Sequence, residues 1–221
     1  MAALFHLPLT ISITRWLLIS TFWVLYRSLC RVHIIGRQNI PLHGPYMIAF
    51  NHLSYFDPPF VAAFWPKTPE IIAAAYLWKK AAVGVIMRMY GAIPANRDEF
   101  DRNVLKTTLN ILNSGSILAI APEGKRSRTP GLLPGRPGIA YLAEKAGVPI
   151  IPVGITGTGP GFFKRALKFK RPNLIMQIGK PFDLPTEAAS GENRKAQRQH
   201  NADLVMTKIA ELLPPEYRGA Y

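Results

Sequence analysis

Tyr46-Met-Ile-Ala-Phe50, followed directly by Asn51-His-Leu-Ser-Tyr-Phe-Asp57-Pro-Pro59, is the stretch from which the fold is read. Five apolar residues without alternation make a run too short for a helix. They suit a strand buried on both faces, as strands of parallel sheets are. The proline pair then opens a new element, because proline is tolerated in the first turn of a helix, where its missing N–H has no partner to lose. Residues 58–65 therefore read as a short helix, and a loop carrying His52 and Asp57 joins the two elements.

Working outward, the same alternation recurs along the chain. Residues 31–36, 70–75, 91–94, 116–121, 148–155 and 173–178 are strand-like. Residues 76–89, 98–113, 138–146 and 196–213 have the length and apolar spacing of helices, the last ended by Pro214 and Pro215. Short apolar strands alternating with helices predict an α/β domain whose single sheet is mostly parallel or mixed, with helices flanking it. In such folds the loops at strand ends gather the functional groups, so those loops are where chemistry is sought. The polar stretch 184–198 reads as a mobile excursion without an assigned role.

Composition bounds the function. The chain has 221 residues, 48% of them hydrophobic, enough for one domain with a real core. Lys and Arg number 27 against 13 acids, a net charge of +14, which points to a polyanionic partner or surface. Two clusters stand out: Lys125, Arg126, Arg128 and Arg136, then Lys164, Arg165, Lys168, Lys170 and Arg171. No zinc-ligand spacing, aromatic RNA-binding stretch or basic region leading into heptads accompanies them, so nucleic acid is not the expected partner. Cys30 is alone, which excludes an intramolecular disulfide and fits a reducing compartment.

Residues 1–40 hold Arg15, Arg27, Arg31 and Arg37 and no acid. Within them, residues 16–26 are apolar around the whole helix circumference, as a segment seeking lipid or a protein interior would be. Pro8 and Arg15 sit poorly in mid-bilayer, and Trp16, Trp23 and Tyr26 favour the interface. Residues 1–30 are thus expected to be a membrane-attachment segment immersed from one face, and residues 31–221 a separate domain. A cleaved leader is not expected, since no small-residue cleavage site follows the apolar run.

The loop after residue 50 carries a candidate base. His52 can take a proton from an alcohol near neutral pH, and a carboxylate on its other nitrogen would fix the tautomer. On a regular helix two residues five apart point about 140° away from each other. His52 and Asp57 therefore meet only if the segment bends. A strand-end polar role for His52 and a helix-cap role for Asp57 remain open at this level. His6, His33, His43 and His200 lie in settings that suit structural or solvated roles.

A second candidate follows the strand at 116–121: Pro122-Glu-Gly-Lys-Arg-Ser127. Glycine permits close backbone approach, and Lys125, Arg126 and Ser127 offer donors to a phosphate, Arg as a two-pronged clamp. Glu123 would either hold Arg126 or accept from a substrate hydroxyl. A basic surface turn is the alternative. No Walker pattern or GxGxxG is present. Arg97, just past a short strand, is a third candidate.

Taken together, Asn51-His52 to Asp57, Gly91 to Arg97, Pro122 to Ser127 and Val148-Pro-Ile-Ile-Pro-Val153 resemble the glycerolipid acyltransferase family that includes the 1-acyl-glycerol-3-phosphate (lysophosphatidic acid) acyltransferases. The resemblance covers roughly residues 31–180. It implies that His52 is the general base and Asp57 its orienter. Asn51, Arg97, Glu123, Gly124, Lys125, Arg126 and Ser127 would form the acceptor-binding site, with Arg97 and Arg126 on the phosphate. Residues 151–153 would line the acyl or donor site. It implies no metal and no bound cofactor, the acyl thioester of coenzyme A or of an acyl carrier protein being a co-substrate. Membrane lipid and a phosphate-bearing lysolipid would be the partners, at a membrane site facing the cytoplasm. Two positions depart from the family pattern: Ala121 stands where an aromatic residue is usual, and Lys125 where Thr is common. Other acceptors, glycerol-3-phosphate among them, and a non-catalytic basic membrane-binding protein are the competing readings.

Overall fold

The computed structural model describes residues 8–96, 102–127, 129, 131–185 and 192–221. Its organising strand is β2 (Tyr46–Phe50), buried at every position. Neighbouring β5 (Ile117–Ile120) and β6 (Ile150–Thr156) run parallel to it on either side. Among the described residues the sheet continues through β7 (Asn173–Ile178) to β1 (Arg31–Ile35) on one flank. On the other it continues through β3 (Glu70–Ala74) to β4 (Ile93–Ala95), giving the order β1-β7-β6-β2-β5-β3-β4. Every neighbouring pair is parallel except β6 with β7. The mixed sheet expected from the alternation is present.

Side-chain alternation along β2 divides the interior into two cores. Tyr46, Ile48 and Phe50 face a cluster with Phe60, Val61 and Phe64 of α2 (Asp57–Phe64) and Tyr26 of α1 (Leu9–Leu29). Phe162 and Ala166 of α6 (Phe162–Leu167) join the same cluster. Met47 and Ala49 face the opposite cluster. That second cluster is filled from α4 (Arg102–Asn113), α5 (Gly138–Ala146) and α7 (Glu192–Ala210). Full burial of each large apolar side chain stabilises by roughly 1.5–3 kcal/mol, so β2 is where the two layers are tied together.

Several expectations are corrected. Residues 76–89 are not one helix: a 3-10 turn at Ala75–Lys79 breaks at the extended Lys80 before α3 (Ala81–Tyr90). Helix α6 has no counterpart in the sequence reading, because its six residues are too few to show a period. The supposed excursion at 184–198 belongs in part to α7, where Arg198 pairs with Glu144 and lies over Tyr141. After a break at residues 211–213, α8 (Pro215–Arg218) opens with the proline pair that was expected to end the chain's last helix.

Helix α1 is docked rather than free. Pro8 stands before its first turn and does not interrupt it. Arg15, which would be costly in lipid, is turned inward. Its Nη1 and Nη2 donate to the two carboxylate oxygens of Glu70 at 2.7 and 2.8 Å, and its Nε donates to Tyr90 O at 2.6 Å. Thr14 Oγ1 donates to Met89 O, and Tyr26 Oη to Phe56 O. The opposite side exposes Leu9, Ile13, Trp16, Leu17 and Val24. The helix is therefore not equally apolar-facing all round: it has one protein side and one bare side.

Both members of the Arg15–Glu70 pair are almost wholly enclosed, with side chains 7% and 8% exposed. Glu70→Ala would strand a buried guanidinium, and the expected loss is about 3–5 kcal/mol, read as a drop in thermal midpoint. The double replacement Arg15→Met with Glu70→Leu is expected to recover most of it.

Candidate active site

The site grows from the ends of β2 and β5, parallel neighbours whose C-terminal loops leave the sheet side by side. After Phe50 the chain is irregular through residue 56 and becomes helical at Asp57. This supplies the bend that a five-residue separation requires. His52 Nδ1 lies 2.9 Å from Asp57 Oδ2. The same oxygen accepts the backbone N–H groups of Leu53 and Ser54, both at 2.7 Å. The other oxygen accepts the hydroxyl of Thr158, from the loop after β6.

Asp57 is completely buried, and an ionised carboxylate only accepts. In the neutral imidazole, Nδ1 donating to that carboxylate leaves Nε2 as the acceptor. The His52 side chain is 13% exposed.

Glu123 locks the two loops together. Its Oε1 accepts the His52 backbone N–H at 2.7 Å and its Oε2 accepts the Leu133 N–H at 3.0 Å. In return the Ser127 N–H donates to His52 O at 2.7 Å. Both carboxylate oxygens thus have backbone partners, and among the described residues no ion pair joins Glu123 to Arg126. Burial pushes its carboxyl up to about 7, against the pull of those two backbone donors and with a further push from Asp57.

Gly124 has φ +66, and a Cβ there would run into the Arg136 side chain at 2.8 Å, so a larger residue would disturb both. Ser127 is buried, its hydroxyl donating to the carbonyls of Thr129 and Gly131. It shapes the turn and offers no free donor.

Lys125 is exposed and Arg126 half-buried. The Arg126 guanidinium lies 3.6 Å from the centre of the Tyr55 ring, and Lys80 Nζ donates to the Tyr55 hydroxyl at 3.1 Å. Burial pushes the pKa of that phenol up, but the donors Lys80 and Tyr76 and the charges of Arg126 and Lys80 outweigh it and leave the pKa lowered. The result is a cationic corner beside the His52 loop.

Asn51, expected among the ligand-binding groups, is fully enclosed. Its Nδ2 donates to Ile155 O at 2.9 Å and its Oδ1 accepts the Ile155 N–H at 2.7 Å, so it fastens β2 to β6. Residues 151–153 are buried at the centre of the sheet and present no surface to an acyl chain, which corrects the donor-site expectation. Arg97 lies outside the described residues. A cleft of about 440 Å³ is lined by Ile72, Leu105 and Ile120 together with Arg194, Lys195 and Arg198. None of its lining residues comes from the His52 or Glu123 loops.

Thr158 and Tyr55 were missed from sequence. Thr158 stands one strand-end away in Ile155-Thr-Gly-Thr158-Gly, and applying the strand-end rule to β6 would have found it. Tyr55 was in view, but nothing in the spacing announces a ring between two cations.

A family model described as Acyltransferase matches residues 31–156. Among relatives, the chain is 24% identical over 151 residues to the 1-acyl-sn-glycerol-3-phosphate acyltransferase of Bacillus subtilis, covering 68% of this chain and 73% of that one. It is 28% identical over 132 residues to the chloroplastic protein of that name from Brassica napus, covering 58% of this chain and only 38% of that one. The human alpha form is 23% identical over 185 residues, with 82% and 65% covered. The chain thus spans well under half the length of the plant relative. Among solved structures, the 1-acyl-sn-glycerophosphate (LPA) acyltransferase from Thermotoga maritima superposes with a TM-score of 0.64. It is 23% identical and covers 93% of this chain and 84% of that one, and it shares the fold.

Because the Glu123 carboxyl sits near 7 instead of the ordinary 4.5, the folded state holds its proton more tightly than the unfolded chain does. Stability contributed by that proton is complete below about 4.5 and is lost as pH rises through about 7. Glu123→Gln is expected to remove a decline of roughly 3 kcal/mol across that window, at about 1.4 kcal/mol for each tenfold difference in proton affinity. Denaturant unfolding at several pH values checks it.

Proposed function

The chain belongs to the acyltransferase family, and on that premise we propose that it acylates a phosphate-bearing lysolipid. The acceptor is lysophosphatidic acid (1-acyl-glycerol-3-phosphate) and the product phosphatidic acid, as in phospholipid biosynthesis. The observation that carries this reading is the His52–Asp57 contact at 2.9 Å with Nε2 left open, beside the cationic corner of Arg126 and Lys80. The names of the relatives agree with it.

In the proposed reaction the acceptor phosphate rests against Arg126, with Lys80 and Lys125 adding positive charge. Its free hydroxyl donates to His52 Nε2. As that proton moves onto the imidazole, the hydroxyl oxygen attacks the thioester carbonyl, forming a tetrahedral intermediate. Asp57 stabilises the imidazolium. Collapse of the intermediate breaks the carbon–sulfur bond, and the imidazolium returns the proton to the departing thiolate. The ester forms directly, without an acyl-enzyme, a metal or a resident cofactor. The thioester of coenzyme A or of an acyl carrier protein serves as co-substrate.

The same reading places the protein on a membrane. Residues Leu9–Leu29 are long and apolar enough to cross one by length and composition. Yet Arg15 and Tyr26, near opposite ends of the helix, both bond to the body of the domain. A spanning helix would drag α2 and α3 into the bilayer with it. Immersion of the bare stripe from one face is what the contacts support. We place that face at the cytoplasmic leaflet, whose anionic lipids suit the net charge of +14.

Detergent-solubilised protein is expected to consume acyl thioester in the presence of lysophosphatidic acid. His52→Ala should slow turnover at least about a thousandfold, the scale of a lost general base. Arg126→Ala is expected to raise the Michaelis constant for the acceptor about tenfold with a smaller change in kcat. Turnover with glycerol-3-phosphate but not with lysophosphatidic acid would reassign the acceptor, and full activity in His52→Ala would remove the mechanism.

A further inference from the structure

The acyl-transfer geometry makes no use of the basic run that follows β6. Its sequence, Phe162-Phe-Lys-Arg-Ala-Leu-Lys-Phe-Lys-Arg171, interleaves apolar residues with Lys164, Arg165, Lys168, Lys170 and Arg171, and no acid occurs from Gly157 to Pro172. Helix α6 buries Phe162 and Ala166 in the core. On the outside, Phe163 is 55%, Leu167 55% and Phe169 75% exposed, and all five cations are exposed with them. The turn into β7 sets Phe169 and Arg171 at φ +52 and +44, backbone conformations that bulky residues rarely adopt. The chain thus holds a phenylalanine ring out in water, on a strained backbone, between lysines.

We propose that this α6–β7 segment is a second lipid contact, which seats Phe163, Leu167 and Phe169 among the acyl chains of an anionic membrane while the five cations meet its headgroups. Apolar side chains interleaved with Lys and Arg are the pattern of interfacial segments, and the absence of acid makes the patch complementary to anionic lipid. Leu167 would gain nothing from a nucleic-acid backbone. The segment also returns to the sheet beside the end of α1, which carries an apolar surface of its own. Pro172 O accepts the Arg31 N–H at 3.0 Å, immediately after the end of α1, whose last turns expose Trp23, Val24 and Leu25. Inward, Phe163 stacks on Phe56 at 5.5 Å, and Phe56 is the residue before Asp57. One short element therefore touches both the lipid and the loop that carries His52. The inference depends neither on acyl transfer nor on how α1 is immersed.

Local insertion can be read directly, because the chain's single cysteine, Cys30, is buried. Phe169→Cys, labelled with an environment-sensitive fluorophore in the full-length chain, would be mixed with vesicles of equal parts phosphatidylcholine and phosphatidylglycerol. A label at Glu211→Cys, exposed just past the end of α7 in the opposite layer, is the control. The expected result is a blue shift at position 169 and none at 211. Lys164→Glu, Lys168→Glu and Lys170→Glu together should weaken binding to these vesicles at least about a hundredfold and leave binding to pure phosphatidylcholine unchanged. Vesicle binding with the 169 label still in water would leave α1 as the anchor and overturn the proposal. So would an equal shift of the label by duplex RNA, which would make the patch a general polyanion surface.

Discussion

The buried carboxylate of Asp57 is the constraint on which the rest of the site depends. It collects the His52 imidazole, two backbone N–H groups of its own loop and the hydroxyl of Thr158. Enclosing a charge is costly unless its lone pairs are filled, and here its own loop and the loop after β6 converge to fill them. The loop between Phe50 and Asp57 is not free to become a continuous helix, because those backbone donors point inward at the acid. His52 is therefore positioned by the same bonds that make the burial of Asp57 tolerable.

A second carboxylate extends that logic between strands. Glu123 ties the β5 loop to the backbone of His52, and Ser127 returns the bond. The cationic corner at Arg126 is thereby set at a fixed place relative to the imidazole, and Asn51 fixes the base of the loop against β6. Four residues that resemble ligand-binding groups in the sequence thus divide by burial. Asn51, Glu123 and Ser127 hold the frame. Arg126, stacked on Tyr55, remains at the surface of the site.

Much of this was legible from the chain alone. A strand buried on both faces leaves a continuous apolar run, so β2 falls where the sequence puts it; β7, buried in alternation, falls there too, and α5 ends at Gly147 as its spacing implies. His52 and Asp57 were legible as a pair because the prolines that follow supply the bend. What was hidden needed the third dimension. Thr158 lies 101 residues from Asp57, and no local pattern connects them. Arg15 looked like an interruption of an apolar segment, yet its partner Glu70 is 55 residues away. A buried role and a ligand role for Glu123 leave the same trace in one sequence, an acid among bases.

The docking of α1 carries a consequence for anyone wishing to prepare this protein in water. Its apolar stripe invites deletion of the first thirty residues to obtain a soluble catalytic fragment. But Arg15 is the counter-ion of Glu70, Tyr26 bonds to the carbonyl of Phe56, and Leu18, Ile19 and Phe22 cover the first core cluster. Such a fragment would begin with an orphaned buried acid and a greasy trough where a helix had lain. Solubility is better sought by recolouring the bare stripe, exchanging Leu9, Ile13, Trp16 and Leu17 for polar residues, than by cutting away the helix that bears it.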